Sequence, residues 1–310
     1  MFKFKVSKDI VIVFTVAISH IFSANGVYAQ SEDNSSNKSE IVFSFQKQKN
    51  PEDLKKATEK ISEQLTKELG QTVNVLIPTS YGATAQGLIS KKIQVAYMDS
   101  LPFILASKEA DLEVILVEKR QGKTWYNSVF VVAKDSKIKS LKDLKGQRIA
   151  FSSQTSTSGY LFPFKRLLDD KLIAKPEDIK SFFSQVIYAG GYDKALMAVV
   201  NGQADVAAVS DYAIEGAKAD LYLNAEQRSH LKVLDRTQGV PTHLIAVSKS
   251  LDPVMRKKIQ KALLDLSTNN PELLSSVYGA AEFSPGTKNH TEKTLQALKR
   301  TDLSVQEFVK

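Results

Sequence analysis

Apolar and polar positions alternate along this chain with two periods, and each period marks an element. Residues 41–45 form a short apolar run that predicts a strand. In 51–69, Leu54, Ala57, Ile61, Leu65 and Leu69 recur at helical spacing, and Gly70 stops the helix. Strands are predicted at 73–77, 95–98 and 112–118, with helices at 83–90 and 100–110 between them. The segment 78–82, which contains Tyr81, reads as a loop.

A second series follows. Strands are predicted at 128–133, 148–151 and 206–210, helices at 160–170 and 192–201, and a short helix at 141–144 capped by Ser140. Segment 180–187 continues the strand pattern, 231–234 and 244–247 supply late strands, and the chain is mainly helical from Pro253. Alternating strands and helices imply an α/β fold with largely parallel sheets. The two series imply two lobes, 41–131 plus 239–310 and 132–238, with two crossings between them. Ligands of open α/β sheets bind beyond the carboxyl ends of the strands. The loops at 79–82, 152–159, 189–193 and 210–212 are therefore the candidate site.

The amino terminus carries an address. Lys3, Lys5 and Lys8 precede an apolar run at 10–22, and small residues lead to a cut after Ala29. This pattern predicts a cleaved signal peptide over 1–29 and a periplasmic destination. The alternative is an uncleaved anchor, but the run is short and broken for a span of about 20 apolar residues. Residues 30–40 are polar and Ser/Asn-rich, as in a flexible leader.

Composition then narrows the chemistry. The 310 residues carry a formal charge of +8 and no cysteine. Thiolate catalysis, disulfides, cysteine-bound metal and amino-terminal lipidation of a cysteine are thereby excluded. The lysines are interleaved with acids, as at Glu52, Asp53, Lys55, Lys56, Glu59 and Lys60, which argues against a nucleic-acid stripe. Four scattered histidines give no metal-site spacing, and no cofactor is expected. No GxSxG, Walker A, GxGxxG or HExxH pattern occurs.

The strongest local signal is the run Thr155-Ser156-Thr157-Ser158-Gly159 between a predicted strand and helix. Hydroxyls gathered where a helix begins, beside free backbone N–H groups, can cradle a tetrahedral oxyanion without lysine or arginine. Plain N-capping accounts for one hydroxyl but not for a run of them. Tyr81 and Tyr126 sit outside apolar stripes and could line a pocket or simply pack. Tyr192 opens a helix after Ala189-Gly190-Gly191, and Tyr212 follows a strand. His243 lies at the return crossing.

Several of these segments resemble the periplasmic phosphonate-binding proteins of ABC importers. The likeness runs through Tyr126-Asn127-Ser128-Val129-Phe130-Val131-Val132, Ser156-Thr157-Ser158-Gly159-Tyr160-Leu161-Phe162-Pro163 and Ala189-Gly190-Gly191-Tyr192-Asp193, with a further match over residues 84–100. The resemblance implies a two-lobed binding protein with the ligand in the interlobe cleft. Ser156, Thr157 and Ser158 would hold its oxygens, and Tyr81 and Tyr126 would add hydrogen bonds. Family members often carry histidine where this chain has Tyr192, so a charge-assisted bond is lost. The positions that carry carboxylates in aminoethylphosphonate binders correspond to Tyr212 and His243, so an ammonium would be buried unpaired. The expected ligand is thus an amine-free phosphorus oxyanion, phosphite or methylphosphonate. The expected partner is a membrane permease, and the expected state is a monomer without enzymatic activity. Two rival readings are a ligand sensor docking on a membrane kinase and a secreted hydrolase using Ser158.

Overall fold

The computed structural model describes residues 40–45, 51–78, 80–216, 219–278, 282–287 and 289–303. The expected signal peptide and all but the last residue of the leader lie outside these. No described helix is long and apolar enough to cross a membrane.

Two sheets organise the chain. The first draws on β1 (Ile41–Ser44), β2 (Val73–Leu76), β3 (Val95–Met98) and β4 (Leu112–Lys119), in the order β11-β4-β10-β3-β1-β2. Its late members are β10 (Leu244–Ser248) and β11 (Glu282–Pro285). The second sheet has the order β7-β6-β8-β5-β9, from β5 (Trp125–Ala133), β6 (Arg148–Phe151), β7 (Gln185–Tyr188), β8 (Val206–Ser210) and β9 (Leu231–Pro241). Helices α1 (Pro51–Leu69), α2 (Tyr81–Ile89) and α3 (Ser100–Ala106) belong to the first series. The second holds α4 (Phe162–Asp169), α5 (Ile179–Phe182), α6 (Tyr192–Val200) and α7 (Ala225–Ser229), and α8 (Pro253–Asn269), α9 (Pro271–Tyr278) and α10 (Glu292–Thr301) close the chain.

The two-lobed α/β expectation holds, but the sheets are mixed. Among the described residues only β1–β2, β1–β3, β6–β7 and β6–β8 pair in parallel. β10 runs antiparallel to β3 and β4, and β5 antiparallel to β8 and β9. The strands that carry the chain between lobes are inserted against the direction of their neighbours. β5 starts at Trp125 and β9 continues to Pro241, so boundaries at 131/132 and 238/239 cut through strands. Sheet membership changes instead at 120–124 and 242–243. Tyr126 is therefore a strand residue, Tyr81 is the first residue of α2 with Ser80 as its cap, and 179–182 is helical rather than extended.

Each face of the first sheet is covered. Ile61 and Leu65 of α1 meet Phe43, Val95 and Ile245 on one side, and Leu88 of α2 meets Ala96 and Leu244 on the other. The second lobe has one larger core around Phe130, Phe151, Phe164, Leu196 and Val209. It also takes in Leu101 and Leu105 of α3 and Ala297 of α10. The end of the chain thus provides a third link between the lobes. Arg300 on α10 donates from Nε to Asp169 at 3.0 Å and from Nη2 to the Leu168 carbonyl at 3.2 Å, while the Thr294 hydroxyl bonds Ser100 at 2.7 Å.

Ala297 is fully buried in this link. Replacing it by Asp should lower unfolding stability by about 3 kcal/mol or more, because the new carboxylate has no buried partner. Lys299→Ala, on the exposed side of the same helix, should stay within about 0.5 kcal/mol. Denaturant titration of both variants checks this.

Candidate functional site

The site grows from the end of β6. Beyond Phe151 the chain turns through 152–156 and enters a π-turn at Thr157–Leu161 that runs on into α4. Single π-turns of this kind recur at functional positions. Ser156 is the cap, its Oγ accepting from the Gly159 N–H at 3.0 Å. Gly159 permits the tight path, since a Cβ there would sit 1.6 Å from Ser152 Oγ. Ser156, Thr157 and Ser158 are all fully buried, in the first turn of a helical element with its dipole behind them.

Hydroxyl accounting shows what this turn can offer. Each O–H has one proton to give and two lone pairs to accept with. Ser156 accepts from Gly159, and Thr157 Oγ1 accepts from the Leu101 N–H at 3.0 Å, so both keep their protons for another acceptor. Ser158 Oγ and the Tyr192 hydroxyl lie 2.7 Å apart, and whichever accepts retains its own proton. The turn and Tyr192 together keep three donors to spare, at a helix start and shut off from water, an arrangement suited to an oxyanion.

Phenols close the space around it. Gly190, at φ +86°, turns the chain out of β7 and presents Tyr192 as the first residue of α6. The rings of Tyr126 and Tyr212 pack at a tilt, 5.1 Å between centroids, and Tyr192 and Tyr212 meet edge to face at 6.0 Å. The hydroxyls of Tyr126 and Tyr212 are buried beside Ser158 and Tyr192, and neither makes a close, well-aligned hydrogen bond among the described residues. Buried phenols so loosely held can turn to an incoming acceptor. Tyr81 is partly exposed as a residue, but its hydroxyl end is enclosed near Tyr192 and Asp99. Burial, followed by the Tyr192 phenol, holds Tyr81, Tyr126 and Tyr212 well above the ordinary tyrosine range. Burial and then Asp99 push Tyr192 up to about 12. All four are therefore neutral donors at physiological pH.

Behind the phenols runs a chain of buried charges. Asp99, at the end of β3, starts α3, and Glu118 lies near the end of β4. His243 sits between them, Nε2 at 2.6 Å from Asp99 Oδ1 and Nδ1 at 3.0 Å from Glu118 Oε2. Arg120 Nη2 meets Glu118 Oε1 at 2.6 Å, and its guanidinium lies 3.8 Å over the Tyr212 ring. Burial disfavours a charged His243, but Asp99 and Glu118 outweigh it and raise the ring to about 9. Burial likewise opposes ionisation of Glu118, and Arg120 with His243 more than offsets it. Two anions and two cations compensate one another, as buried charges must. Asp99 Oδ2 also accepts from the Thr157 N–H at 3.3 Å, tying the first lobe to the hydroxyl turn of the second.

The structure thus places Tyr81, Tyr126, Ser156, Thr157, Ser158, Tyr192 and Tyr212 around one interlobe space. His243 lies one layer behind, with both ring nitrogens turned to carboxylates. That arrangement removes the hydrolase reading: the Ser158 hydroxyl bonds Tyr192, and the histidine is committed elsewhere. Sequence reasoning missed Asp99, Glu118 and Arg120. Their signal was position: each lies at or just beyond the carboxyl end of a predicted strand, 95–98 or 112–118, the criterion that picked out the other loops.

The pH dependence follows from His243. Its folded value, about 9, exceeds the unfolded value of about 6.5. Its stabilising contribution is therefore complete below about 6.5 and is lost as pH rises through about 9. Thermal unfolding scanned from pH 6 to 10 should show this decline in the wild type and a smaller one in His243→Gln. Parallel declines would contradict it.

Comparison with known proteins places this geometry. The family model described as "ABC transporter, phosphonate, periplasmic substrate-binding protein" matches residues 43–291. The chain is 27% identical over 253 residues to the phosphonates-binding periplasmic protein of Escherichia coli, covering 80% of this chain and 72% of that one. It is 23% identical over 220 residues to the phosphate-import protein PhnD of Mycolicibacterium smegmatis, covering 68% and 67%. The structure of PhnD1 from Prochlorococcus marinus in complex with methylphosphonate superposes with a TM-score of 0.73 at 20% identity, covering 86% of this chain and 99% of that one. With the match extending over most of its length, the chain belongs to the periplasmic phosphonate-binding proteins of ABC transporters, which are substrate-binding proteins and not enzymes.

Proposed function

We propose that this chain captures a small, amine-free phosphorus oxyanion, phosphite or methylphosphonate, inside its hydroxyl cage and delivers it to a membrane permease. One observation carries the reading: hydroxyl donors converge from both lobes while the two buried carboxylates beside them, Asp99 and Glu118, are already paired. Ser156, Thr157 and Ser158 would take the oxygens, with Tyr81, Tyr126, Tyr192 and Tyr212 donating from around them. His243 would act from behind, neutralising Asp99 and Glu118 so that neither repels the anion.

The same pairing argues against an aminoalkyl ligand. An ammonium entering beside Arg120 and His243 would meet cations and no unpaired buried acid, a costly burial. Phosphate would be disfavoured in a different way. That selection requires an apolar wall facing the hydrogen of phosphite or the methyl of methylphosphonate, where phosphate's fourth oxygen would lack a partner. Ligand contacts from both lobes would favour a closed state, and the permease would recognise that state. In this reading the protein works as an exported monomer, with residues 1–29 as its removable signal.

Calorimetric titration with phosphite, methylphosphonate, 2-aminoethylphosphonate and phosphate tests the ligand. Phosphite or methylphosphonate should bind at least tenfold more tightly than the other two. No binding of any at millimolar concentration, equivalent to about −4 kcal/mol, would reject the ligand class. Ser158→Ala should weaken the preferred anion by about 1.5–3 kcal/mol, or roughly 10- to 150-fold, the worth of a hydrogen bond to a charged group.

A further inference from the structure

Asp99 holds the cap position of α3, where an aspartate ordinarily turns back to accept from its own helix. It makes no such bond. The Leu101 N–H, the kind of group it would have capped, goes instead to Thr157 Oγ1 at 3.0 Å. The carboxylate reaches across to accept the Thr157 N–H at 3.3 Å. The residue is only 1% exposed. A buried acid has thus left its local role to stand beside the hydroxyl turn.

Its surroundings show where it faces. Tyr81, Tyr126 and Tyr192 all lie close enough for its charge to act on their phenols. On the other side, His243 Nε2 lies 2.6 Å from Oδ1. This pairing offsets the charge of Asp99 without exhausting it as an acceptor. A carboxylate has about four lone-pair positions, and His243 and the Thr157 N–H take two of them.

The rest of the cage is rich in donors. A fully ionised oxyanion needs nothing else. A phosphorus monoanion brings one O–H of its own, and burying that proton without an acceptor is costly. Hydroxyls can accept, but Ser156 and Thr157 already do, and a carboxylate makes the stronger, charge-assisted bond. A sulfonate of the same shape and charge has no proton to give. It would set an oxygen lone pair against the Asp99 carboxylate and leave that acceptor unused.

We propose that Asp99 is a specificity-determining residue that accepts the proton of a P–OH group, so that the site takes its phosphorus oxyanion as the monoanion and rejects sulfonates. The inference rests on the oxyanion reading and deepens it by fixing the protonation state of the ligand.

Calorimetric titration at pH 6 compares methylphosphonate with methanesulfonate, which match in shape and, at that pH, in charge. The wild type should bind methylphosphonate more tightly by about 100-fold or more, since a site built to bond a hydroxyl rejects the analogue that lacks it. Asp99→Asn should narrow that gap by about tenfold or more, because an amide can donate to an oxygen that carries no proton. Phosphorus-31 NMR of the wild type reads the same property without a variant. At pH 8.5, where free methylphosphonate is a dianion, the bound signal should keep the monoanion position. Methanesulfonate bound within about tenfold of methylphosphonate, or a bound signal at the dianion position, would overturn the role of Asp99 and leave the cage standing. So would an unchanged gap in folded Asp99→Asn protein. Failure of the wild type to bind either methylphosphonate or phosphite would remove the oxyanion reading and this inference together.

Discussion

Asp99 divides its carboxylate between the two halves of the molecule. One oxygen faces His243 and, through it, Glu118 and Arg120 at the passage between sheets, while the other accepts the Thr157 N–H at the head of the hydroxyl turn. The rest of the site depends on that arrangement. Taking four ionised groups out of water is expensive, and a chain of alternating charge is one way to offset most of the cost. Once the charges compensate one another, they present little net field to an arriving anion. They also hold α3 against the turn that carries Ser156, Thr157 and Ser158.

What remains for the ligand is a set of neutral donors. A buried lysine or arginine would bind any anion strongly and select weakly among them. Hydroxyls that already accept from fixed N–H donors keep their protons for the remaining directions, so geometry does the selecting. The phenols match this logic. Burial and neighbouring groups keep them protonated, and the aromatic faces that pack against one another leave apolar surface between the hydroxyls. An oxyanion with one non-oxygen substituent is the natural complement of such a wall.

Much of the fold was legible in the sequence because most elements bury one face. The helical stripe of Leu54, Ala57, Ile61, Leu65 and Leu69 gave α1 its observed limits, and the short apolar runs marked β1, β3, β6 and β10. β9 was read only at its start. Lys232, Asp235 and Arg236 interrupt its apolar pattern, since it is an edge strand: Asp235 pairs with Arg166, Arg236 with Asp211 and Glu215, and Lys232 donates to the carbonyls of Lys134 and Ser136. The docking of α10 on the second lobe was not legible, because an amphipathic stripe states which face is buried and not against what. At the site, the hydroxyl turn stood out because four consecutive hydroxyl side chains exceed what capping needs. The charged chain did not, because Asp99, Glu118, Arg120 and His243 come from three separate segments and only the folded crossing brings them together.

The most direct test of the central claim is a crystal structure of the protein grown with methylphosphonate. The account predicts phosphonate oxygens within hydrogen-bond distance of Ser156, Thr157 and Ser158 and of at least one of Tyr126 and Tyr212, with the Asp99–His243–Glu118 chain intact behind them. A ligand held elsewhere, or one whose oxygens are met by Arg120 after that chain has broken, would contradict it.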